Sequence, residues 1–85
     1  MQEFKHVIQN HQGIYAETAG ILVKTANEFE SRMQLCKRGK IGDLKHIFSV
    51  VALGVQTGDE VTVIIDGTDE MAALKRMEEV FKQRL

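Results

Sequence analysis

The chain opens on an alternation of apolar and polar positions. From Gln2 to Ile8, Phe4, His6 and Ile8 fall on one side and Glu3, Lys5 and Val7 on the other, the period of two that a strand requires. After the loop-type run Asn10-His11-Gln12-Gly13 the period lengthens. Ala19, Leu22, Val23, Ala26 and Phe29 recur at spacings of three and four, which predicts a helix with one buried face running to about Phe29. Ile21 lies off that face and is expected to be exposed. Alternation returns from Arg32 to Cys36, with Met33 and Leu35 together. Lys37-Arg38-Gly39-Lys40 then reads as a hairpin turn, because Gly39 can take a positive φ at little cost. A short strand from Lys40 to about Asp43 follows, then a short helix from His46 to Ala52 that Gly54 helps to end. Thr57-Gly58-Asp59 is a turn, and Val61, Val63 and Ile65 form the inward side of a strand reaching Asp66. A last helix starts at the acidic pair Asp69-Glu70, buries Ala73, Leu74, Met77, Val80 and Phe81, and ends near basic Lys82 and Arg84, the charge order a helix dipole favours.

The element order is therefore βαββαβα, an α+β chain. Strands separated by crossing helices predict a four-stranded antiparallel sheet with its helices on one face, in two layers. No repeat, linker or low-complexity segment interrupts it, and residues 1–85 read as one small domain.

Composition narrows the functional classes. At 44% hydrophobic the chain can fill one modest core, and at 27% charged it is soluble. Its net charge of −1, with both signs interspersed, argues against a nucleic-acid binder, which concentrates Lys and Arg. No run approaches the ~18 apolar residues of a membrane span, and Met1-Gln2-Glu3-Phe4-Lys5-His6 lacks the order of a secretory signal. One cysteine, Cys36, has no partner for an internal disulfide, which fits a reduced cytoplasmic setting. His6, His11 and His46 have no metal-ligand spacing, so no metal and no cofactor is expected. His6 reads as a half-buried histidine whose polar atoms are paired. Met33, Met71 and Met77 read as core or helix surface.

The candidate chemistry centres on Gly13-Ile14-Tyr15-Ala16-Glu17-Thr18-Ala19, where loop gives way to helix. A helix start offers unpaired N–H groups and the positive end of a dipole, an arrangement that can hold an anion. Tyr15 is most simply an exposed aromatic over that helix start, and Glu17 a first-turn acid that the dipole favours.

Several strings, all in one register without a gap, resemble the HPr family, the small phosphocarriers of the bacterial sugar phosphotransferase system. They are Gly13, the ladder Ala19, Leu22-Val23, Ala26 and Phe29, then Gly39-Lys40, Lys45, Ile47-Phe48, Leu53-Gly54, Gly58 and the acidic start of the last helix. The resemblance covers nearly the whole chain. It implies an open-faced β-sandwich of four antiparallel strands covered on one side by three helices. It also implies an active site built on a histidine at the start of the first helix, followed two residues on by arginine and then proline. That histidine takes phosphate from enzyme I and passes it to sugar-specific partners. Here those positions hold Tyr15, Glu17 and Thr18. A tyrosine hydroxyl, with a pKa near ~10, is a poor nucleophile at neutral pH without a base beside it. Glu17 brings a negative charge where the family brings a positive one. At ~5 Å each like-charge pair costs on the order of 1 kcal/mol or more, and exchanging Arg for Glu counts twice.

In many Gram-positive members a regulatory serine starts the short helix; the matching position here is His46. The family's partner-binding patch, carried over, would be Gly20, Ile47, Phe48 and Val51 with Lys24 at the rim. An exposed Ile-Phe pair is the sort of patch that marks an interface. The resemblance thus implies a non-catalytic, cytoplasmic, regulatory protein-binding module. Its partners would be enzyme I, sugar-specific components or a transcriptional regulator, not nucleic acid or membrane. The alternative is an active phosphocarrier that uses His11 or His46. A small-molecule-binding domain of similar fold is a third possibility and needs an enclosed pocket.

Overall fold

The computed structural model describes all residues from Met1 to Leu85. Seven elements follow in order: β1 (Gln2–Val7), α1 (Ala16–Ala26), β2 (Arg32–Lys37), β3 (Lys40–Asp43), α2 (Ile47–Val51), β4 (Glu60–Asp66) and α3 (Glu70–Arg84). The order and the type of every element agree with the periodicity of the sequence. The strands form one antiparallel sheet in the order β1-β4-β2-β3. Phe4 sits opposite Val63, which in turn sits opposite Leu35, so the inward side chains of three strands stack in one row. The helices cover this side, and the far side of the sheet is open. That makes the fold the two-layer, open-faced α+β sandwich expected.

The core is one cluster of 19 buried residues. The sheet supplies Met33, Leu35, Val61, Val63 and Ile65; α1 supplies Ala19, Leu22 and Ala26; α3 supplies Ala73, Met77, Val80 and Phe81. Small Ala19 and Ala26 on α1 and Ala73 on α3 leave room for large Leu22, Met77 and Phe81, so the layers interdigitate. The β2–β3 connection is a two-residue turn with both central residues at positive φ, Arg38 at 50° and Gly39 at 81°. Their backbone twist matches that of the flanking strands.

Four local expectations are corrected. α1 ends at Ala26, about a turn before Phe29. The Asn27 side chain donates to the Val23 carbonyl at 2.9 Å and to the Lys45 carbonyl at 3.3 Å. The next backbone bonds, Glu28 to Thr25 and Phe29 to Ala26, span only three residues, so the chain tightens and leaves the helix. Ile21 is half-buried and packs against the core, and Leu74 is half-buried instead of fully enclosed. His6 turns its Nε2 into the protein with no hydrogen-bond partner; its ring instead meets the Phe81 ring edge-on at 5.5 Å. Met33 and Met77 are core residues, whereas Met71 is exposed.

Candidate functional site

The start of α1 is set by backbone contacts between two loops. Gly13 adopts φ +67°, and a Cβ there would stand 2.3 Å from the Val55 carbonyl oxygen. Ile14 N–H donates to that same oxygen at 3.0 Å, and Asn10 Nδ2 holds the Gly13 carbonyl at 2.8 Å. Tyr15 then caps the helix in an extended conformation, with its N–H donating to Thr18 Oγ1 at 3.0 Å. The first helical bond runs from Ala19 N–H to the Tyr15 carbonyl at 2.8 Å. The N–H groups of Ala16 and Glu17 point out of the helix end without an acceptor in the chain.

The Tyr15 ring is 38% exposed, and its hydroxyl donates toward Glu17 Oε2 at a long 3.5 Å. Both line an open cleft of about 350 Å³, together with Asn10, His11, Gln12, Thr18 and Ile21. Gln83 and Arg84 from α3 complete the lining. Sequence reasoning assigned Arg84 only to the end of its own helix. The packing of α3 beside α1 brings Arg84 to the cleft at the start of α1, and nothing in the local sequence signals that. His11, read as a loop residue near Tyr15, is exposed in the same cleft. The result is a mixed site: one carboxylate, one guanidinium, an imidazole and a phenol around a dipole end.

A second group of predicted residues lies one turn along α1 and on α2. A Cβ on Gly20 would meet Ile47 Cδ1 at 4.0 Å, an ordinary van der Waals contact, so Gly20 adjoins Ile47 where α1 and α2 meet. On α2, Ile47 is 37% exposed, Phe48 85% and Val51 40%, while Val50 is fully buried. The short helix is thus anchored by Val50 and presents its other three apolar residues. Lys24 is exposed on the same helix as Gly20, one turn further on.

His46 caps α2 without making a side-chain capping bond, and its Nε2 lies 3.6 Å from Asp43 Oδ2. The nearby Ser49 hydroxyl is already engaged, accepting from Asp43 N–H at 2.8 Å. His46 and His11 belong to different elements of the site, His46 to the α2 patch and His11 to the cleft. Lys45 donates to the Phe29 carbonyl at 2.6 Å and fixes the loop after α1.

Cys36 lies on the open side of the sheet, opposite Thr62 and Ile41. Burial pushes its thiol pKa up, and the nearby Glu3 charge adds to that, both of which disfavour the thiolate. A second cleft of about 390 Å³, lined by Arg32, Gln34, Ile41, Gly42, Asp43 and Ser49, is also open to solvent. The enclosed pocket that small-molecule binding requires is not what either cleft offers. No group of three or more His, Cys, Asp or Glu side chains is placed to hold a metal ion. No helix is long and apolar enough to cross a membrane.

The family model PTS-HPr, described as the PTS HPr component phosphorylation site, matches residues 2–83. The phosphocarrier protein HPr of Mycoplasma capricolum is 33% identical over 79 residues, which is 93% of this chain and 89% of that protein. Among solved structures, a Mycoplasma histidine-containing phosphocarrier protein superposes with a TM-score of 0.93 at 30% identity, over 96% of this chain and 93% of its own. The Crh protein of Bacillus subtilis, a dimer with a swapped domain, is 34% identical with a TM-score of 0.79, over 100% of this chain and 98% of its own.

Proposed function

The chain belongs to the HPr family, the phosphocarriers of the bacterial sugar phosphotransferase system, and on that premise we propose that it is a non-catalytic, regulatory protein-binding module of that system. It acts as one domain of residues 1–85, in the cytoplasm, without cofactor, and binds through Gly20, Ile47, Phe48 and Val51 with Lys24 at the rim. Its partner is enzyme I, a sugar-specific component or a transcriptional regulator.

One observation carries this reading. Phe48 presents most of its ring to solvent beside Ile47 and Val51, while the start of α1 carries Tyr15 and Glu17 and not a histidine and an arginine. An exposed phenylalanine on a small soluble fold is costly in solubility, and a partner that covers it gives it a reason. The phosphoryl chemistry, by contrast, lacks its nucleophile at position 15. Glu17 repels an incoming phosphoryl oxygen, and no base stands within reach of the Tyr15 hydroxyl except the Glu17 carboxylate, at a long 3.5 Å. The regulatory-serine position is His46, which offers no hydroxyl to a kinase.

The test is incubation with phosphoenolpyruvate and enzyme I. The unaltered chain is expected to take no histidine-linked phosphate, and Tyr15→His with Glu17→Arg to gain some. Labile phosphate on the unaltered chain would defeat the proposal.

A second reading rests on the cleft, where His11 and Arg84 share one surface with Tyr15. An imidazole nitrogen and a guanidinium are the two groups phosphoryl acceptance needs, so a displaced carrier histidine is the competing function. It predicts acid-labile, base-stable phosphate that disappears on His11→Ala. His46 is the weaker candidate, since the charge nearest its ring is the Asp43 carboxylate. His46→Ala should leave labelling unchanged.

A further inference from the structure

The outer edge of β1 supports an inference that is independent of the phosphocarrier question. β1 is paired on one side only. Just past it, Ile8 N–H donates to the Asp59 carbonyl at 2.8 Å and the Ile8 carbonyl accepts from Gly58 N–H at 2.7 Å. By the alternation of an antiparallel ladder, Gln2, Phe4 and His6 then turn their backbone groups toward β4, and Glu3, Lys5 and Val7 turn theirs outward. The side chains of Glu3, Lys5 and Val7 stand exposed on the open side of the sheet. Neither Glu3 nor Lys5 takes part in an ion pair within the chain. An unbulged edge with free N–H and C=O groups is a template for another strand.

We propose that this edge pairs with β1 of a second copy of the chain, antiparallel, about a two-fold axis at Phe4. The choice of partner and register comes from the charges. An axis at Glu3 sets Glu3 against itself, and an axis at Lys5 sets Lys5 against itself; both are repulsive. An axis at His6 joins Lys5 to Val7 and sets Glu3 beyond the strand against Gln9, whose N–H already donates to the Leu85 carbonyl. With the axis at Phe4, Glu3 of each copy faces Lys5 of the other, and Val7, 45% exposed, faces Met1, 74% exposed. Every outward residue then meets its chemical complement twice, as an isologous contact demands.

The flank of α3 lies over this edge of the sheet. Phe81 packs edge-on against Phe4 at 5.3 Å, and the same flank of α3 continues one and two turns back through Glu78 and Leu74, both half-buried.

The experiment is analytical ultracentrifugation of the full chain from micromolar to millimolar concentration at low salt. A reversible dimer is expected. Lys5→Glu and Glu3→Lys should each raise its Kd about tenfold or more, since each turns two attractive cross-strand pairs into repulsive ones. The double variant, with the charges exchanged, should dimerise like the original, and an equimolar mixture of the two single variants should form a heterodimer. Thermal melts of all three variants check that the fold is retained. A chain that stays monomeric at millimolar concentration overturns the proposal. So does a dimer indifferent to both single reversals, which is the outcome for a dimer formed by exchange of β1. Failure of the exchanged-charge variant to recover would overturn it as well.

Discussion

Replacing Gly13 by alanine tests how the mouth of α1 is held. The new Cβ would sit 2.3 Å from the Val55 carbonyl oxygen, 2.7 Å from Gln56 Cα and 3.1 Å from the Gln56 carbonyl carbon. These are backbone atoms, so no rotamer change relieves the contact, and the loop between α2 and β4 has to shift. The positive φ adds about 1–2 kcal/mol for any residue with a Cβ, and the forced movement adds about 1–3 kcal/mol. Together they predict a loss of about 2–5 kcal/mol. Gly39→Ala is the internal control: its φ is +81°, and nothing lies within 4 Å of the new methyl. It should lose only the backbone cost of about 1–2 kcal/mol. Urea unfolding followed by circular dichroism measures both, with unchanged m-values confirming that the unfolded state is comparable. Each kcal/mol corresponds to about 4–8 °C in Tm for a domain of this size. Equal losses in the two variants, or a Gly13→Ala loss below about 1 kcal/mol, would refute the argument that two loops meet backbone to backbone there.

Three further outcomes are expected. Phe48→Ala should change unfolding stability by no more than about 0.5 kcal/mol because the ring is exposed, yet weaken partner binding by about 2 kcal/mol, read by calorimetry beside a thermal melt. Arg38→Asn should stabilise the fold by a few tenths up to about 1 kcal/mol, since Arg38 holds a φ of 50° that asparagine tolerates better; chemical denaturation reads the gain. Stability should fall on acidification: the Ser31 hydroxyl and the Glu30 N–H hold Asp69 below the usual carboxylate range, and the amino terminus and Gly67 N–H do the same for Glu70. A depressed folded pKa gives stability that is present above the unfolded value near ~4 and is lost as pH drops through the folded value. Melts taken from neutral pH downward should show the loss, and Asp69→Asn should flatten it.

What the sequence disclosed depended on range. Each element with a run of regular spacing was readable, because the period of its apolar residues is fixed by its own backbone geometry. Gly39 announced its turn for the same reason. The end of α1 was not readable, since it is set by Asn27 reaching the Lys45 carbonyl from a distant segment. Ile21 sits off the ideal stripe yet packs on the core, on the side of α1 that shares a cleft with Gln83 and Arg84 of α3. The charge pattern of the cleft was half visible: Tyr15, Glu17 and His11 are local to the helix start, but Arg84 comes from the other end of the chain. His6 could be placed on the inward face by alternation, but its want of a hydrogen-bond partner follows from what α3 sets against it, a phenylalanine ring.

The strand order has a consequence for how the protein is made. β4 lies between β1 and β2 and is the last strand to be synthesised. The β2–β3 hairpin can close on the ribosome as soon as its two-residue turn emerges. β1, although first out, has no neighbour until Glu60 to Asp66 clear the exit tunnel. For most of translation it is an unsheltered ribbon with both margins bare. A nascent chain paused before β4 should therefore be bound by holding chaperones through residues 2–7, and should be released from them once that late strand slots into place.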